Sequence, residues 1–273
     1  MELREIDWNE MWRADQKKGP VPVSNCITEE VRWDRMAPLF RQWMDIDDYP
    51  SKFLKRTELR PEWSVLDVGC GSGAIAIEAA TRSRSVTALD ISDKMLDILK
   101  SDAEKSHLGN ITCLHRSWES IRVGVDISPH DVVIASRSIA RTDDLRESLV
   151  KIDQASIRYA YVTAWGGGER GLNKGIREAL GQDYQDTPDY IYVFNLLCQM
   201  GIHPNIEQIE CRSRIIYPTL DDVVKNYTVL FHFSPEEVNI VEAYLKGYLI
   251  LRNDGQLEVP DNRPVWSLIW WKK

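Results

Sequence analysis

The chain of 273 residues contains no run of about 18 apolar residues, the length a membrane-crossing helix needs. Its first ten residues, MELREIDWNE, are charged where a secretory leader is apolar. A soluble, cytoplasmic protein with no membrane partner is the expectation. Cysteine is scarce: Cys26, Cys70, Cys113, Cys198 and Cys211 are the whole set, and no two stand as C-x-x-C. An odd count without metal-type spacing argues against a disulfide scaffold or a zinc site, so no metal is expected and these thiols read mostly as buried. Basic charge is also in deficit. The chain has 34 Lys and Arg against 42 Asp and Glu, a net charge of −8, which makes a polyanion an unfavourable partner. Short basic stretches such as KSDAEKSH and RSRS read as solvated charge, and nucleic acid is not expected. Internal repeats and low-complexity tracts are missing too. Asn110-Ile-Thr112 and Asn226-Tyr-Thr228 match glycosylation sequons, which read as chance without a secretory signal.

What is present is a concentrated signal at VLDVGCGSG, Val65 to Gly73. Apolar residues suited to a buried strand run into three glycines at every second position, Gly69, Gly71 and Gly73. Glycine permits backbone angles closed to other residues and lets a ligand approach the main chain. Ala74 to Thr81, AIAIEAAT, then suits a close-packed helix, with Ala76, Ala79 and Ala80 small enough to lie against a sheet. A second strand, SVTALD, ends in Asp90, about 20 residues beyond the turn, where a doubly wound sheet presents an acid to ribose hydroxyls. The spacing G-x-G-x-G departs from the nicotinamide fingerprint G-x-G-x-x-G.

LDVGCGSG, ALDIS and DKML resemble the first two motifs of class I S-adenosylmethionine-dependent methyltransferases. The resemblance is good over about Glu62 to Trp165, and beyond that it holds only in the order of elements. It implies S-adenosylmethionine as cofactor and S-adenosylhomocysteine as product. In that family the acid before the glycines, here Asp67, helps to hold the methionine amino group. The loop at Gly69, Cys70, Gly71 and Gly73 lies against the methionine part, and Asp90 takes both ribose hydroxyls, with Ile91 and Met95 following in the second motif. After the third strand, HRSWES places Ser117 and Trp118 where the family often has an acid for adenine. Ser117 bonding, Trp118 stacking and Glu119 replacing the acid all stay open. Ser136 and Arg137, in IASRSIA after the fourth strand, stand where cofactor and substrate would meet. An NPPY-like stretch, which marks amino methylation of nucleobases, is missing there.

The first 60 residues read as a helical cap: Trp8, Met11 and Trp12 share one helical face, as do Trp33, Met36, Ala37 and Phe40. WDRMAPLF followed by YP resembles the N-terminal region of small-molecule methyltransferases, which makes Trp33, Arg41 and Tyr49 candidate wall residues, with Arg137 and Trp165. Arg137 and Arg141 suit a substrate carboxylate or phosphate, and pairing with Asp143 or Asp144 is an equal alternative.

Residues 61–273 read as one Rossmann-like α/β domain with a seven-stranded, mostly parallel sheet. Strands fall at about 64–68, 86–90, 111–115, 131–136, 159–164, 207–217 and 264–271, with helices on both faces and an antiparallel last strand as the resemblance implies. Segments 166–201 and 218–252 read as helical elaborations. Thr187-Pro188-Asp189 and Gly201 bound one helix, and Ser234-Pro235-Glu236-Glu237 is a capping box opening another. Both segments start at carboxyl ends of strands, where open sheets bind ligands, so they are expected to build a substrate chamber. His130 and His203 precede strands and read as structural, and His107 as solvated. His115 and His232 lie on the useful side as candidate bases. Methyl transfer from a sulfonium needs a base only if the acceptor must lose a proton, so no catalytic residue is assigned. A methyltransferase acting on a small-molecule acceptor is the main reading. The alternatives are a non-catalytic cofactor-binding protein, a nucleic-acid or protein methyltransferase, and another use of the cofactor or a nicotinamide.

Overall fold

The computed structural model describes residues 5–18, 28–44, 47–166, 171–183, 190–231, 233–260 and 263–273. Cys26, His232 and the helix start at Thr187-Pro188-Asp189 lie outside them, as does the side chain of Arg41. In chain order the elements are α1 (Trp8–Lys18), α2 (Glu29–Met44), α3 (Tyr49–Leu54), β1 (Ser64–Val68), α4 (Ala76–Ala80), β2 (Ser85–Asp90), α5 (Asp93–Lys105), β3 (Ile111–His115), β4 (His130–Ser136), α6 (Leu145–Ala155) and β5 (Ser156–Trp165). Then follow α7 (Gly171–Ala179), α8 (Tyr190–Gln199), β6 (Asn205–Glu210), β7 (Ile216–Tyr217), α9 (Leu220–Phe231), α10 (Pro235–Tyr248), β8 (Ile250–Leu251), β9 (Leu257–Glu258) and β10 (Val265–Lys272).

Seven strands form one sheet in the order β3-β2-β1-β4-β5-β10-β6. The ladders through β3, β2, β1, β4 and β5 are parallel, and β10 runs antiparallel between β5 and β6. This is the Rossmann-like arrangement expected, down to the inserted antiparallel strand. Strand order reverses between β1 and β4, so their carboxyl ends flank the crevice where such sheets take ligands. β4 carries a continuous apolar run, and β1 one broken only by Asp67, because both faces of these strands are covered. Leu66, Val133 and Val162 face a core with Leu149, Ile152, Leu196 and Trp12. Val65, Val132 and Ile134, one residue out of step, face Ala76, Ala79, Leu96, Leu99 and Phe53 on the other side.

Three expectations are corrected. The strand at 207–217 ends at Glu210, because Arg212 N–H donates to Asp48 Oδ1 at 2.8 Å and Ser213 bridges to Asp47, pulling the chain off the sheet. Ile216 and Tyr217 instead join a small sheet of order β7-β9-β8. Helix α8 covers the main sheet, burying Val193, Leu196 and Leu197 with α6 and β5, so most of segment 190–201 belongs to the main core. Met11 is exposed, while Trp12 is buried beside it.

Helices α7, α9 and α10 with the small sheet enclose a third core of Ile176, Tyr217, Val223, Tyr227, Val241 and Leu245. The capping box at Ser234 forms as the sequence suggests, with Glu237 reaching back to the Ser234 N–H at 2.8 Å. Among the described residues no helix is long and apolar enough to cross a membrane.

Candidate active site

All three loop glycines adopt positive φ: +67° at Gly69, +53° at Gly71 and +92° at Gly73. Their surroundings differ. A Cβ on Gly69 would lie 2.4 Å from Ser138 Cβ, and one on Gly73 would lie 2.3 Å from Leu99 Cδ1, whereas a Cβ on Gly71 would meet nothing within 4 Å. Gly69 and Gly73 let the loop pack against the loop after β4 and against α5, and Gly71 faces open space. The loop is tied to β2 by bonds from the N–H groups of Gly69 and Cys70 to Leu89 O, at 2.8 and 3.0 Å.

The Asp90 carboxylate completes this anchoring. Its Oδ2 accepts from Gly71 N–H at 2.7 Å and its Oδ1 from Ser92 N–H at 2.8 Å. Burial raises its pKa, opposed by those backbone bonds. Asp67 is 1% exposed at the end of β1, and burial, with the charge of Asp90, pushes its carboxyl up to about 7. The backbone N–H of Ala76 donates to it, yet Oδ2 has no hydrogen-bond partner among the described residues. A buried carboxylate oxygen without a donor is costly unless a ligand supplies one. An orphaned acceptor beside an open glycine suits a cofactor carrying an ammonium group. The Cys70 thiol is raised well above its ordinary value by burial and by Asp67 and Asp90, so it stays protonated and is no nucleophile.

Ile91 O accepts from His115 Nε2 at 2.8 Å, and Met95 is buried with its N–H capped by Ser92 Oγ at 3.2 Å. The imidazole of His115 is thus engaged at the end of β3. His130, buried before β4, meets Thr87 Oγ1 through Nε2 at 2.8 Å. Ser117 Oγ accepts from Ser120 N–H at 3.3 Å in a local turn. Trp118 lies in the core with the Lys151 ammonium 4.8 Å from its ring centroid, and its indole Nε1 has no hydrogen-bond partner among the described residues.

Ser136 Oγ lies 2.6 Å from Tyr49 OH, which is 2.9 Å from Thr163 Oγ1. Burial pushes the Tyr49 hydroxyl up to about 12, so it acts as a neutral donor or acceptor beneath the strand ends. Arg137 has φ +58°, a left-handed conformation uncommon outside glycine. Three contacts hold it there: Arg137 N–H donates to Thr163 Oγ1 at 2.9 Å, Nη1 meets Asp47 Oδ2 at 2.9 Å, and the guanidinium lies 4.1 Å from the Tyr49 ring centroid. Arg141 pairs with Glu29 at 2.8 Å. The arginines therefore bind acids of the N-terminal helical region, and the alternative pairing with Asp143 or Asp144 does not form. Trp165, half-buried at the end of β5, packs edge-on against Trp266 at 5.4 Å. Trp33 is half-buried on α2.

Sequence reasoning missed Asp34, although it stands inside the stretch WDRMAPLF that marked the cap. Its Oδ1 accepts from Ser92 Oγ at 2.6 Å, two residues from Asp90. Thr163 and Ser138 were missed as well. Both act through contacts that only the folded sheet creates.

The fold and this loop define a cofactor-dependent transferase, and comparison gives the kind. Residues 65–155 match the family described as a methyltransferase domain. Residues 65–155 therefore carry a methyltransferase domain, for which S-adenosylmethionine is the cofactor. It is 29% identical over 245 residues, 88% of each chain, to an uncharacterized protein of Haemophilus influenzae. Over 95 residues, 34% of this chain and 50% of the relative, it is 30% identical to a probable cobalt-precorrin-6B C(15)-methyltransferase (decarboxylating) of Methanobrevibacter smithii. Among solved structures it resembles the YcgJ protein from Bacillus subtilis, with a TM-score of 0.56 at 12% identity, covering 82% of this chain and 97% of the other. That likeness is one of fold.

Proposed function

We propose that the protein transfers the methyl group of S-adenosylmethionine to a small-molecule acceptor enclosed beneath the N-terminal helices. The observation that carries this reading is the double attachment of the N-terminal region to the strand ends: Asp34 to Ser92 at 2.6 Å beside the ribose acid, and Asp47 to Arg137 at 2.9 Å beside Ser136. A covered crevice admits a small acceptor more readily than a polymer. The relative named for a precorrin reaction supports the same class.

The bound cofactor supplies an already activated methyl group on a sulfonium. This chain's residues then bind, align and exclude water, which supplies much of the acceleration for an in-line displacement. Asp67 Oδ2 would receive the amino group and Asp90 the ribose hydroxyls, while Gly71 leaves room for the chain between them. Ser136, Arg137, Trp33 and Trp165 are proposed to face the acceptor, with Tyr49 behind Ser136 setting its hydroxyl. Residues 1–60 act as the cap on a 61–273 catalytic domain, and the third core around α7, α9 and α10 completes the enclosure. Free thiols at Cys70, Cys113, Cys198 and Cys211 fit a reducing, cytoplasmic setting.

The test is radiolabelled methyl transfer from S-adenosylmethionine into the dialysable fraction of a cell extract, run beside its RNA, DNA and protein fractions. Label in the dialysable fraction alone supports the reading. Label confined to a polymer fraction overturns it.

A further inference from the structure

Helix α2 crosses the carboxyl ends of three strands. Asp34 meets Ser92 after β2, Glu30 Oε1 lies 3.7 Å from His115 Nε2 at the end of β3, and Glu29 reaches Arg141 in the loop after β4. That last loop also carries Ser138, which packs under Gly69. Here the charges do not balance. Glu29 Oε1 receives Arg141 through Nη2 at 2.8 Å and Nε at 2.9 Å, and the same oxygen is 3.4 Å from Arg32 Nη1. Two guanidinium groups share one carboxylate oxygen, and among the described residues neither arginine has another ion-pair partner. Of the neighbouring acids, Glu30 lies beside His115 and Asp34 accepts from Ser92 Oγ and the backbone N–H of Lys94, so neither meets the two guanidinium groups.

Both cations are largely removed from water, with side chains 17% and 27% exposed. Burial first, then the like charge of Arg141, lowers the Arg32 pKa against the weaker pull of Glu29. A partly buried excess cation is unfavourable unless a second anion arrives, and a planar guanidinium fork matches a carboxylate or phosphate in two bonds. A chain of net charge −8 that nevertheless keeps a surplus of positive charge under its cap concentrates it where an acceptor would enter.

We infer that Arg32 and Arg141 form an anion site at the mouth of the crevice, which takes a carboxylate or phosphate group carried by the methyl acceptor. Glu29 holds the two arginines together until that group binds. The inference rests on the small-molecule reading above and narrows it to anionic acceptors.

The probe is inorganic phosphate, titrated into the full chain with and without S-adenosylhomocysteine while the arginine Nε–H signals are followed by NMR. Saturable shifts are expected in the wild type. Arg141→Gln and Arg32→Gln should each weaken phosphate at least about tenfold, the loss of a charge-assisted pair, and Arg252→Gln, which breaks the pairs with Asp254 and Glu258 instead, should not. Glu29→Gln should tighten phosphate severalfold, an outcome a purely structural salt bridge does not give. Should a Gln variant fail to fold, Arg141→Lys keeps the charge without the fork and should show an intermediate loss. Shifts that never saturate, or that persist equally in Arg141→Gln, overturn the site. So does a tenfold loss of S-adenosylhomocysteine affinity in both arginine variants with phosphate binding intact, which would give the pair to the cofactor's own carboxylate. Phosphate binding does not depend on methyl transfer, so an intact site in a protein without small-molecule turnover leaves the site standing and removes the functional reading.

Discussion

The carboxylate of Asp90 accepts a hydrogen bond from the backbone N–H of Gly71 at 2.7 Å, so the acid at the end of β2 and the open glycine of the loop are one unit. On the proposed reading, Asp90→Ala removes the acceptor for the ribose together with a support of the loop proposed to face the methionine part. Charge-assisted bonds contribute roughly 1.5 to 3 kcal/mol each, so cofactor affinity should fall well over tenfold. Calorimetry with S-adenosylhomocysteine on the folded variant measures this, and unchanged affinity would remove Asp90 from the site.

The glycines should separate by what surrounds them. Gly71→Val puts a β-branched residue at φ +53°, but its Cβ meets no atom within 4 Å, so the fold should survive while cofactor binding is lost. Gly73→Val collides with Leu99 at the packing of α5 and should depress the melting temperature more. Thermal melts with and without S-adenosylhomocysteine distinguish the two. Normal binding by Gly71→Val would make that glycine structural.

Asp67 predicts a pH dependence whose sign follows from its raised pKa. The folded protein keeps a proton up to about pH 7 that the unfolded chain releases near its ordinary value of 3.8. Stability from this group is full below that ordinary value and is lost as pH rises through the folded one. Asp67→Asn keeps an acceptor for Ala76 N–H and removes the titration. Its melting temperature should fall less than that of the wild type between about pH 5 and about pH 8. Cofactor affinity should move the other way: the wild type gains affinity as Asp67 ionises, and the variant binds weakly at every pH. Parallel melting curves for the two proteins would show that Asp67 is not the titrating group.

Nucleic-acid binding should be weak at physiological salt, since the net charge is −8. Filter binding against mixed RNA and DNA tests it. Tight binding with a steep salt slope would favour a polymer substrate over a small acceptor.

The sheet was legible because each parallel strand is a short apolar run bounded by a turn, and the glycine loop because few other chain segments need three positive φ values in five residues. The break of β6 at Glu210 was not legible, since it depends on Asp47 and Asp48, more than 150 residues earlier in the chain, capturing Arg212 and Ser213. The role of α8 was hidden for a related reason. A strongly apolar helix reads the same whether it roofs a chamber or covers a sheet. For Arg137 and Arg141, local sequence offered Asp143 and Asp144 as partners, and the fold brought Asp47 and Glu29 instead.

The last prediction concerns the cap. Deleting residues 1–30 is a blunt test, because Trp12 is 1% exposed and donates through Nε1 to Thr142 O at 2.8 Å. Losing a buried tryptophan costs about 3–5 kcal/mol, so the truncation would weaken the whole fold along with any lid. Asp34→Ala is narrower. It removes the bond to Ser92 Oγ while leaving Ser92 free to cap Met95, and Asp34 lies on a helix whose buried positions, Met36 and Ala37, are untouched. If α2 closes over the crevice to exclude water, turnover in the variant should fall by more than cofactor affinity does, with little change in melting temperature. Steady-state kinetics beside calorimetry measures the two losses. Equal losses in both would make Asp34 a part of cofactor binding and not a latch on the cap.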